Sequence, residues 1–477
     1  MFFQKHPKTL LIFFGTEMWE RYGFYVLQSL LALYLALHYH WSDARVYELV
    51  GAFTALTYLS PIVGGWIADN LLGQRISILL GTVCLFLSYV SLVLWDNEAL
   101  LPYILAGTAA GTGLLKANIS SLLGHEYKKG AGSREAGFTI FYMGITSGII
   151  LGTTLPSYIE QLFGWSATFL SAAFGIILAA GIFTYGMLRY HINDYYEHHI
   201  NYKHLLCALL ITVGFYIAAV AILQYPEYAD IAFILIVSAA TLYIARSITL
   251  ASKAQARQNA AIGILCIISV LFWAFYFQMF LSLTLFIDRV VEPTLFGISF
   301  PAPAYVSLQS IGMLILGAFL ARRPAHALPV EAAIHSGKKF TWAMFTMSIA
   351  YALIVCVAHV PSTHLLSPLL LIPSYLCISL AELLLSPVGL CAVTILASPE
   401  NVSTMMGIFF ISLSLGGFLS GKLAALTSLS AQQMTLPWMQ IKMQYAHTFM
   451  ELFCILVVAT LLSFLLLRIL TPLMRKT

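Results

Sequence analysis

Long apolar stretches that carry almost no charge are the feature that most constrains this chain. A helix needs about 20 consecutive apolar residues to cross the hydrocarbon core of a bilayer, and this length recurs along the whole sequence. Charged residues make up 9% of the 477 residues, against roughly 25% in soluble domains. The pattern excludes a soluble enzyme, a disulfide scaffold and a nucleic-acid-binding protein. It predicts a polytopic helical membrane protein.

Hydropathy predicts fourteen membrane spans, which place both termini on the same side of the bilayer. They are 9–37, 47–69, 76–95, 99–123, 136–162, 166–188, 204–224, 229–250, 259–287, 302–321, 340–359, 366–396, 402–426 and 444–470.

The distribution of basic residues predicts the orientation of these spans. Of the 24 Lys and Arg residues, two lie within spans, and only Arg45, Arg289, Lys422 and Lys442 lie at the predicted outer face. All the others lie on the side of the termini. Because cytoplasmic loops carry an excess of Lys and Arg, both termini are expected to be cytoplasmic. The sequence thus predicts a multi-pass protein of the cytoplasmic (inner) membrane.

Two polar stretches, 189–203 and 251–258, isolate the seventh and eighth spans as a hairpin. Six spans precede the hairpin and six follow it. This is the plan of the major facilitator fold, in which two six-helix bundles enclose a substrate cavity near the midplane. The predicted domains are an N-terminal bundle (1–190), a connector with the hairpin (191–256) and a C-terminal bundle (257–477).

Few ionisable residues lie well inside the predicted spans. Glu17, Glu20 and Arg21 are spaced i, i+3, i+4 and so share one face of the first helix. Lys116 and Glu382 are the other two. A charge at the bilayer centre costs at least about 2.5–3.5 kcal/mol, so such residues are candidates for function. A short zwitterion fits them, with its carboxylate at Arg21 and Lys116 and its ammonium at Glu382; structural ion pairs are the alternative.

The segment from Glu17 to Tyr25, EMWERYGFY, resembles the ExxERFxYYG motif of the proton-dependent oligopeptide transporters. Segments 58–73, 115–123 and 138–148 resemble that family too, as do FWAFYFQ at 272–278 and ELLLSPVG at 382–389. The resemblance covers nearly the whole chain and includes the hairpin of prokaryotic members.

The resemblance implies roles for particular residues. Proton coupling would involve Glu17, Glu20, Arg21 and Lys116. The peptide carboxylate would meet Arg21 and Lys116, and its amino terminus would meet Glu382. The remaining expected substrate-binding residues are Tyr25, Tyr58, Thr146, Gln278, Gln309 and Ser386. The inner gating loop would include Asp69 and Arg75.

Four positions depart from the family pattern. Thr146 and Gln309 each stand where Asn is usual, and Gln28 and Phe277 stand where many members have an Arg–Glu outer gate pair. Outer closure is therefore expected to rest on apolar and hydrogen-bonded contacts. The departures leave a second hypothesis, a divergent member that moves another small amphoteric or anionic solute.

The leading hypothesis is a proton-coupled symporter that imports di- and tripeptides by alternating access. Protons would be the coupling ion, with no other cofactor. The seven cysteines are scattered singly, and no metal-ligand spacing or nucleophile–base motif points to an enzyme. The expected partners are the peptide and the lipid bilayer, with no nucleic acid, and the chain is expected to act as a monomer.

Overall fold

The computed structural model describes residues 6–127, 132–192, 201–321, 329–362, 364–398 and 401–475. Helices dominate this part of the chain, and β1 (Thr294–Leu295) pairs with β2 (Ile298–Ser299) in a short antiparallel hairpin. The helices are α1 (Thr9–Leu33), α2 (Asp43–Ile67), α3 (Gln74–Leu94), α4 (Leu101–His125), α5 (Gly132–Tyr190), α6 (Tyr202–Gln224), α7 (Pro226–Thr249), α8 (Lys253–Tyr276), α9 (Ser282–Val290), α10 (Ala302–Ala321), α11 (Pro329–His359), α12 (Ile372–Leu396), α13 (Val402–Ala425), α14 (Ala431–Met434) and α15 (Trp438–Arg475).

The predicted all-helical membrane fold is confirmed. Within the described residues, 12 helical segments are long and apolar enough to cross a membrane. One of them, Gly137–Tyr190, contains two predicted spans, because Gly164 adopts a positive φ of 79° and interrupts the helix. The charged helix α1, with 25 residues, adds a further span. The chain therefore has the major facilitator fold with an additional hairpin.

The residues group by their contacts into two units. Unit 1 comprises Met1–Tyr34 and Leu56–Tyr228, and unit 2 comprises Leu35–Ala55 and Ala229–Thr477. The borders fall just after α1, inside α2 and near the start of α7, so α2 contributes its first half to unit 2 and its second half to unit 1. The domain limits drawn from the sequence stay a prediction.

In unit 1, α1 packs closely against α5 through a row of glycines. A Cβ atom added at Gly144 would lie 2.9 Å from the Phe14 carbonyl oxygen, and one at Gly152 would lie 2.6 Å from that of Tyr22. Gly148 lies between them and meets the backbone of Met18 as tightly. Because small residues let helix backbones approach, this row holds α1 in place and with it the charges that α1 carries.

In unit 2, the predicted span 259–287 is interrupted rather than continuous. The helix α8 ends at Tyr276, a 3₁₀ turn follows over Phe277–Phe280, and α9 begins at Ser282. The side chain of Gln278 bridges the interruption: Nε2 donates to the carbonyl oxygens of Ala274 (3.1 Å) and Ser420 (2.8 Å), and Oε1 accepts from Ser282 Oγ at 2.6 Å. An interrupted helix is tolerated at membrane depth because such contacts satisfy the freed polar groups.

Candidate functional site

The three charged side chains of α1 form a buried ion cluster in unit 1. The guanidinium of Arg21 holds Glu20 with both arms, Nε to Oε2 at 2.5 Å and Nη2 to Oε1 at 2.6 Å. Glu17 Oε1 lies 3.5 Å from Arg21 Nε. All three residues are buried, with Arg21 only 2% exposed. One cation thus faces two carboxylates, and the predicted common face of α1 is confirmed.

One atom of this cluster is open to a further donor. Glu17 Oε2 is buried and has no hydrogen-bond partner among the residues that the structure describes. A buried polar atom without a partner is costly, since it has lost its water without replacing it. This oxygen is therefore the place where a proton or a ligand donor would find no competing contact.

The second cation that was predicted to lie within a span is on α4, also in unit 1. Lys116 Nζ is 4.6 Å from the centroid of the Tyr58 ring, within the range of a cation–π contact. It also interacts electrostatically with Arg21, Glu20 and Glu17. The structure thus brings four predicted coupling residues into one electrostatic group, with Tyr58 at its edge.

Two other predicted substrate-binding residues of unit 1 are Tyr25 on α1 and Thr146 on α5. The ring of Tyr25 packs edge-on against Phe24, with centroids 5.2 Å apart, and Tyr25 interacts electrostatically with Arg21. Thr146 is buried on α5, where its hydroxyl donates to the carbonyl oxygen of Tyr142 at 3.1 Å. That hydroxyl is therefore engaged with its own helix.

In unit 2, the buried Glu382 of α12 is held by neutral donors. Its Oε2 accepts from Tyr276 Oη at 2.9 Å and from Gln309 Nε2 at 2.6 Å. Within the described ranges, no Lys or Arg nitrogen lies within ion-pair distance of it. Ser386, one turn further along α12, is partly exposed. In this part of the chain, no adjacent cation therefore balances the carboxylate of Glu382. The hydrogen bonds from Tyr276 and Gln309 both go to Oε2, and neither goes to Oε1.

Sequence reasoning missed Tyr276 as a partner of Glu382. Tyr276 stands in the aromatic run 272–278, which the sequence presents as packing residues. The hydroxyl among these Phe and Trp side chains was the available signal, because a buried Tyr usually needs a hydrogen-bond partner. By contrast, Gln278 is fully buried, and its amide bonds to the protein itself.

The four predicted gating residues lie in different settings. Gln28 is buried on α1 in unit 1, and Phe277 is buried in unit 2 against Trp273, with ring centroids 5.5 Å apart. Asp69 is exposed at the end of α2, on a turn that Gly73 closes with a φ of 76°. Arg75 Nε contacts Met187 Sδ at 3.5 Å. Their gating roles stay predictions.

An ion pair that sequence reasoning missed lies in unit 2, fully buried on its Asp43 side and partly exposed on its Arg289 side. Both guanidinium arms of Arg289, at the end of α9, contact Asp43, the first residue of α2, at 2.7 Å. Arg289 also donates to Tyr445 Oη at 2.7 Å, and the backbone N–H of Leu429 donates to Asp43 Oδ2 at 3.0 Å. The carboxylate is fully buried. The pair involves neither Gln28 nor Phe277, so the expectation that outer closure at those two positions rests on neutral contacts stays a prediction.

The apolar helices and the fold define a polytopic membrane protein of the transporter class. The chain belongs to the POT family, whose profile matches residues 75–442. It is 29% identical over 462 residues to dipeptide and tripeptide permease A of Escherichia coli (strain K12), covering 94% of this chain and 89% of that protein. It is 28% identical over 460 residues to the permease A of Yersinia pestis, with the same two coverages.

The fold is likewise similar to that of a solved proton-dependent oligopeptide transporter studied for substrate recognition. The TM-score is 0.83 at 25% sequence identity, and the match covers 98% of this chain and 99% of the other. Family and fold therefore agree with the resemblance drawn from the motifs.

Proposed function

We propose that this protein imports di- and tripeptides together with protons, by alternating access, across the cytoplasmic membrane, with both termini in the cytoplasm. The observation that carries the proposal is the buried fork between Arg21 and Glu20, beside Glu17 and Lys116. A solute with a carboxylate can replace Glu20 on the guanidinium. The names of the two permeases support peptides as that solute.

Coupling follows from competition for one guanidinium. A proton that reaches Glu20 removes the negative charge that holds Arg21, and the freed arms bind the carboxylate of the peptide bidentately. Lys116 adds a second positive charge. When the peptide leaves toward the cytoplasm, Arg21 regains Glu20 once that carboxyl has released its proton. Proton and peptide thus travel in the same direction in the same cycle.

The amino terminus of the peptide binds Glu382. Tyr276 and Gln309 orient this carboxylate through Oε2, and Oε1 accepts the ammonium. Tyr25, Tyr58 and Ser386 supply further polar groups. Because one chain carries both the cations for the carboxylate and the acid for the ammonium, we propose that a single chain is the transporting unit.

Uptake of a labelled dipeptide into liposomes tests the proposed function. An inward proton gradient should drive accumulation above the external concentration, and liposomes without a gradient should only equilibrate. A single chain reconstituted per vesicle should retain this activity. Equal accumulation with and without the gradient would remove proton coupling.

Competition binding with free and N-acetylated dipeptides tests the ammonium site. The charged hydrogen bond lost in Glu382→Gln is worth about 1.5–3 kcal/mol, or roughly one to two decades of affinity for the free peptide. The N-acetylated peptide has no ammonium and should lose much less. The exposed Glu292 of the loop after α9 gives a matched Glu292→Gln control, which should lose nothing. Equal losses for both ligands would overturn the assignment.

A further inference from the structure

A cavity of about 1000 Å³ opens between the end of α11 and the start of α15, both in unit 2. The residues that line it include His359, Ser362, Met439, Lys442, Met443 and Met450. None of them belongs to the site described above. Both helices are long and apolar enough to span a membrane, and the cavity lies where one span ends and the other begins.

Lys442 is the buried cation of this cavity. The residue is 5% exposed, and its Nζ donates to the carbonyl oxygen of Val360, just beyond the end of α11, at 2.5 Å. The Trp438 ring centroid is 5.8 Å away. In the described part of the chain, no carboxylate lies within 4 Å of Nζ. A helix end supplies only about half a negative charge, so the ammonium is incompletely balanced.

The other cations of the predicted outer face differ from Lys442. Arg289 is paired with Asp43, and Lys422 lies 2.8 Å from Asp230 and 3.6 Å from Glu48. Arg45 is exposed to solvent and lies over the ring of Trp41 at 3.5 Å. A buried unpaired charge is costly. Among the four cations of the predicted outer face, Lys442 is thus the one that we expect to bind an anion from outside the chain.

The rest of the lining is mostly apolar and flexible, with His359, Ser362 and His447 as its polar members. Met439, Met443 and Met450 follow one another along one side of α15, and Met443 is 65% exposed. From Lys442 to Met450 the helix rises about 12 Å toward the membrane interior. Exposed thioether side chains adapt readily to an irregular apolar partner. The cavity therefore offers a positive charge at its polar end and an apolar surface below it.

We propose that this cavity binds an anionic phospholipid. The phosphate of its headgroup accepts from Lys442, and one acyl chain lies along Met443 and Met450. Basic groups in pockets between transmembrane helices can bind anionic headgroups, and Trp438 begins the apolar segment of α15, the kind of position at which aromatic residues concentrate at a membrane interface. At the rim, the hydroxyl of Ser362 and Nδ1 of His359 are engaged by the backbone carbonyls of His364 and Val355, so Lys442 is the donor that the headgroup would use. An inorganic anion would need only the polar end, whereas the Met surface calls for a lipid.

Native mass spectrometry of the purified full chain in detergent tests this proposal. The protein is titrated with phosphatidylglycerol, phosphatidylcholine and inorganic phosphate. We expect one phosphatidylglycerol to bind more tightly than phosphatidylcholine, and phosphate not to displace it. Lys442→Gln should weaken phosphatidylglycerol about ten- to hundredfold, since a charge-assisted hydrogen bond is lost. Lys422→Gln, a paired cation of the same face, should leave it unchanged.

A second variant keeps the test decisive should Lys442→Gln not fold. Met443→Glu places an acid at an exposed position on the same wall, where folding should tolerate it, and should also weaken phosphatidylglycerol. Unchanged retention in either folded variant would overturn the proposal. Displacement of the lipid by free phosphate would overturn it too, by reducing the site to an anion site.

Discussion

The ion pair between Asp43 and Arg289 is expected to hold the predicted outer end of unit 2 closed. Asp43 belongs to the half of α2 that is grouped with unit 2, while the other half of α2 belongs to unit 1. In the proposed alternating-access cycle, the contact that anchors this half of α2 separates in one state. We therefore expect Asp43→Asn to favour the separated state and to leave Arg289 held by its hydrogen bond to Tyr445.

The size of the effect follows from burial and geometry. Asp43 is fully buried and bound by both arms of Arg289 at 2.7 Å. Breaking a buried pair by removing one partner costs about 3–5 kcal/mol, or roughly two to three and a half decades in an equilibrium constant. In Asp43→Asn/Arg289→Gln neither charge is stranded, so the double variant should lose less than the two single losses added together.

Thiol labelling from the outside measures this shift. Thr427→Cys places a thiol at a fully buried position two residues before Leu429. The buried Cys266 is kept as a reporter of unfolding. The other cysteines are replaced by Ser. In Asp43→Asn, the introduced thiol should react about a hundredfold faster with an impermeant maleimide, because the lower end of the expected shift in the equilibrium constant is about two decades. Cys266 should stay protected. Glu48→Gln breaks the half-exposed pair with Lys422 and should change the rate little.

Three outcomes would refute this reasoning. Unchanged labelling of the introduced thiol in Asp43→Asn would mean that the pair does not hold the closed state. Equal labelling in Glu48→Gln would mean that any charge change at this end has the same effect. Simultaneous exposure of the introduced thiol and Cys266 would mean that the pair stabilises the fold rather than one state of it.

Three further predictions concern coupling, helix packing and the interruption after α8. Glu20→Gln should abolish gradient-driven accumulation in liposomes while sparing some counterflow, because Arg21 and Lys116 remain; intact uphill transport would remove Glu20 from the mechanism. Gly51→Ala places a Cβ 2.7 Å from the Gly421 Cα, and such overpacking costs about 1–3 kcal/mol. The melting temperature and uptake should fall, whereas Gly407→Ala, with nothing within 4 Å, should be neutral; equal effects would discount the close crossing. Gln278→Leu leaves the carbonyl oxygen of Ser420 without its amide donor, which should cost about 1–3 kcal/mol of stability. Its melting temperature should therefore be lower than that of the exposed control Gln440→Leu. Equal melting temperatures would make the bridge dispensable.

Helix positions could be predicted from the sequence because the bilayer demands long apolar segments. The interruption between α8 and α9 could not, since apolar residues continue through Phe277 and Phe280 and hydropathy is blind to backbone geometry. The motif FWAFYFQ implies, by resemblance, that Gln278 is a substrate ligand. In the structure its amide satisfies backbone carbonyls at the interruption, a contact that no sequence pattern predicts, and its substrate role stays a prediction.

The buried charges were equally visible, but their partners were not. The spacing of Glu17, Glu20 and Arg21 determines a shared helix face, so that cluster follows from local geometry. Asp43 and Arg289 are 246 residues apart, and neither has a local signal for the other. An Asp at a helix start is ordinarily a capping residue, and an Arg beyond a span is ordinarily solvated. Tertiary packing turned both into a buried pair.

Gln309, which stands where Asn is usual in the family, can be interpreted from its contacts. From the sequence alone, Gln in place of Asn put the substrate class in doubt. In the structure the amide is retained and donates to Glu382 at 2.6 Å; the added methylene changes its reach and not its chemistry. Because both donors on Glu382 Oε2 are neutral, the negative charge is oriented without being neutralised. An anionic solute without an ammonium would be repelled by that charge, whereas the ammonium of a peptide or of another amphoteric solute would be attracted, so Glu382 disfavours only the anionic form of the alternative.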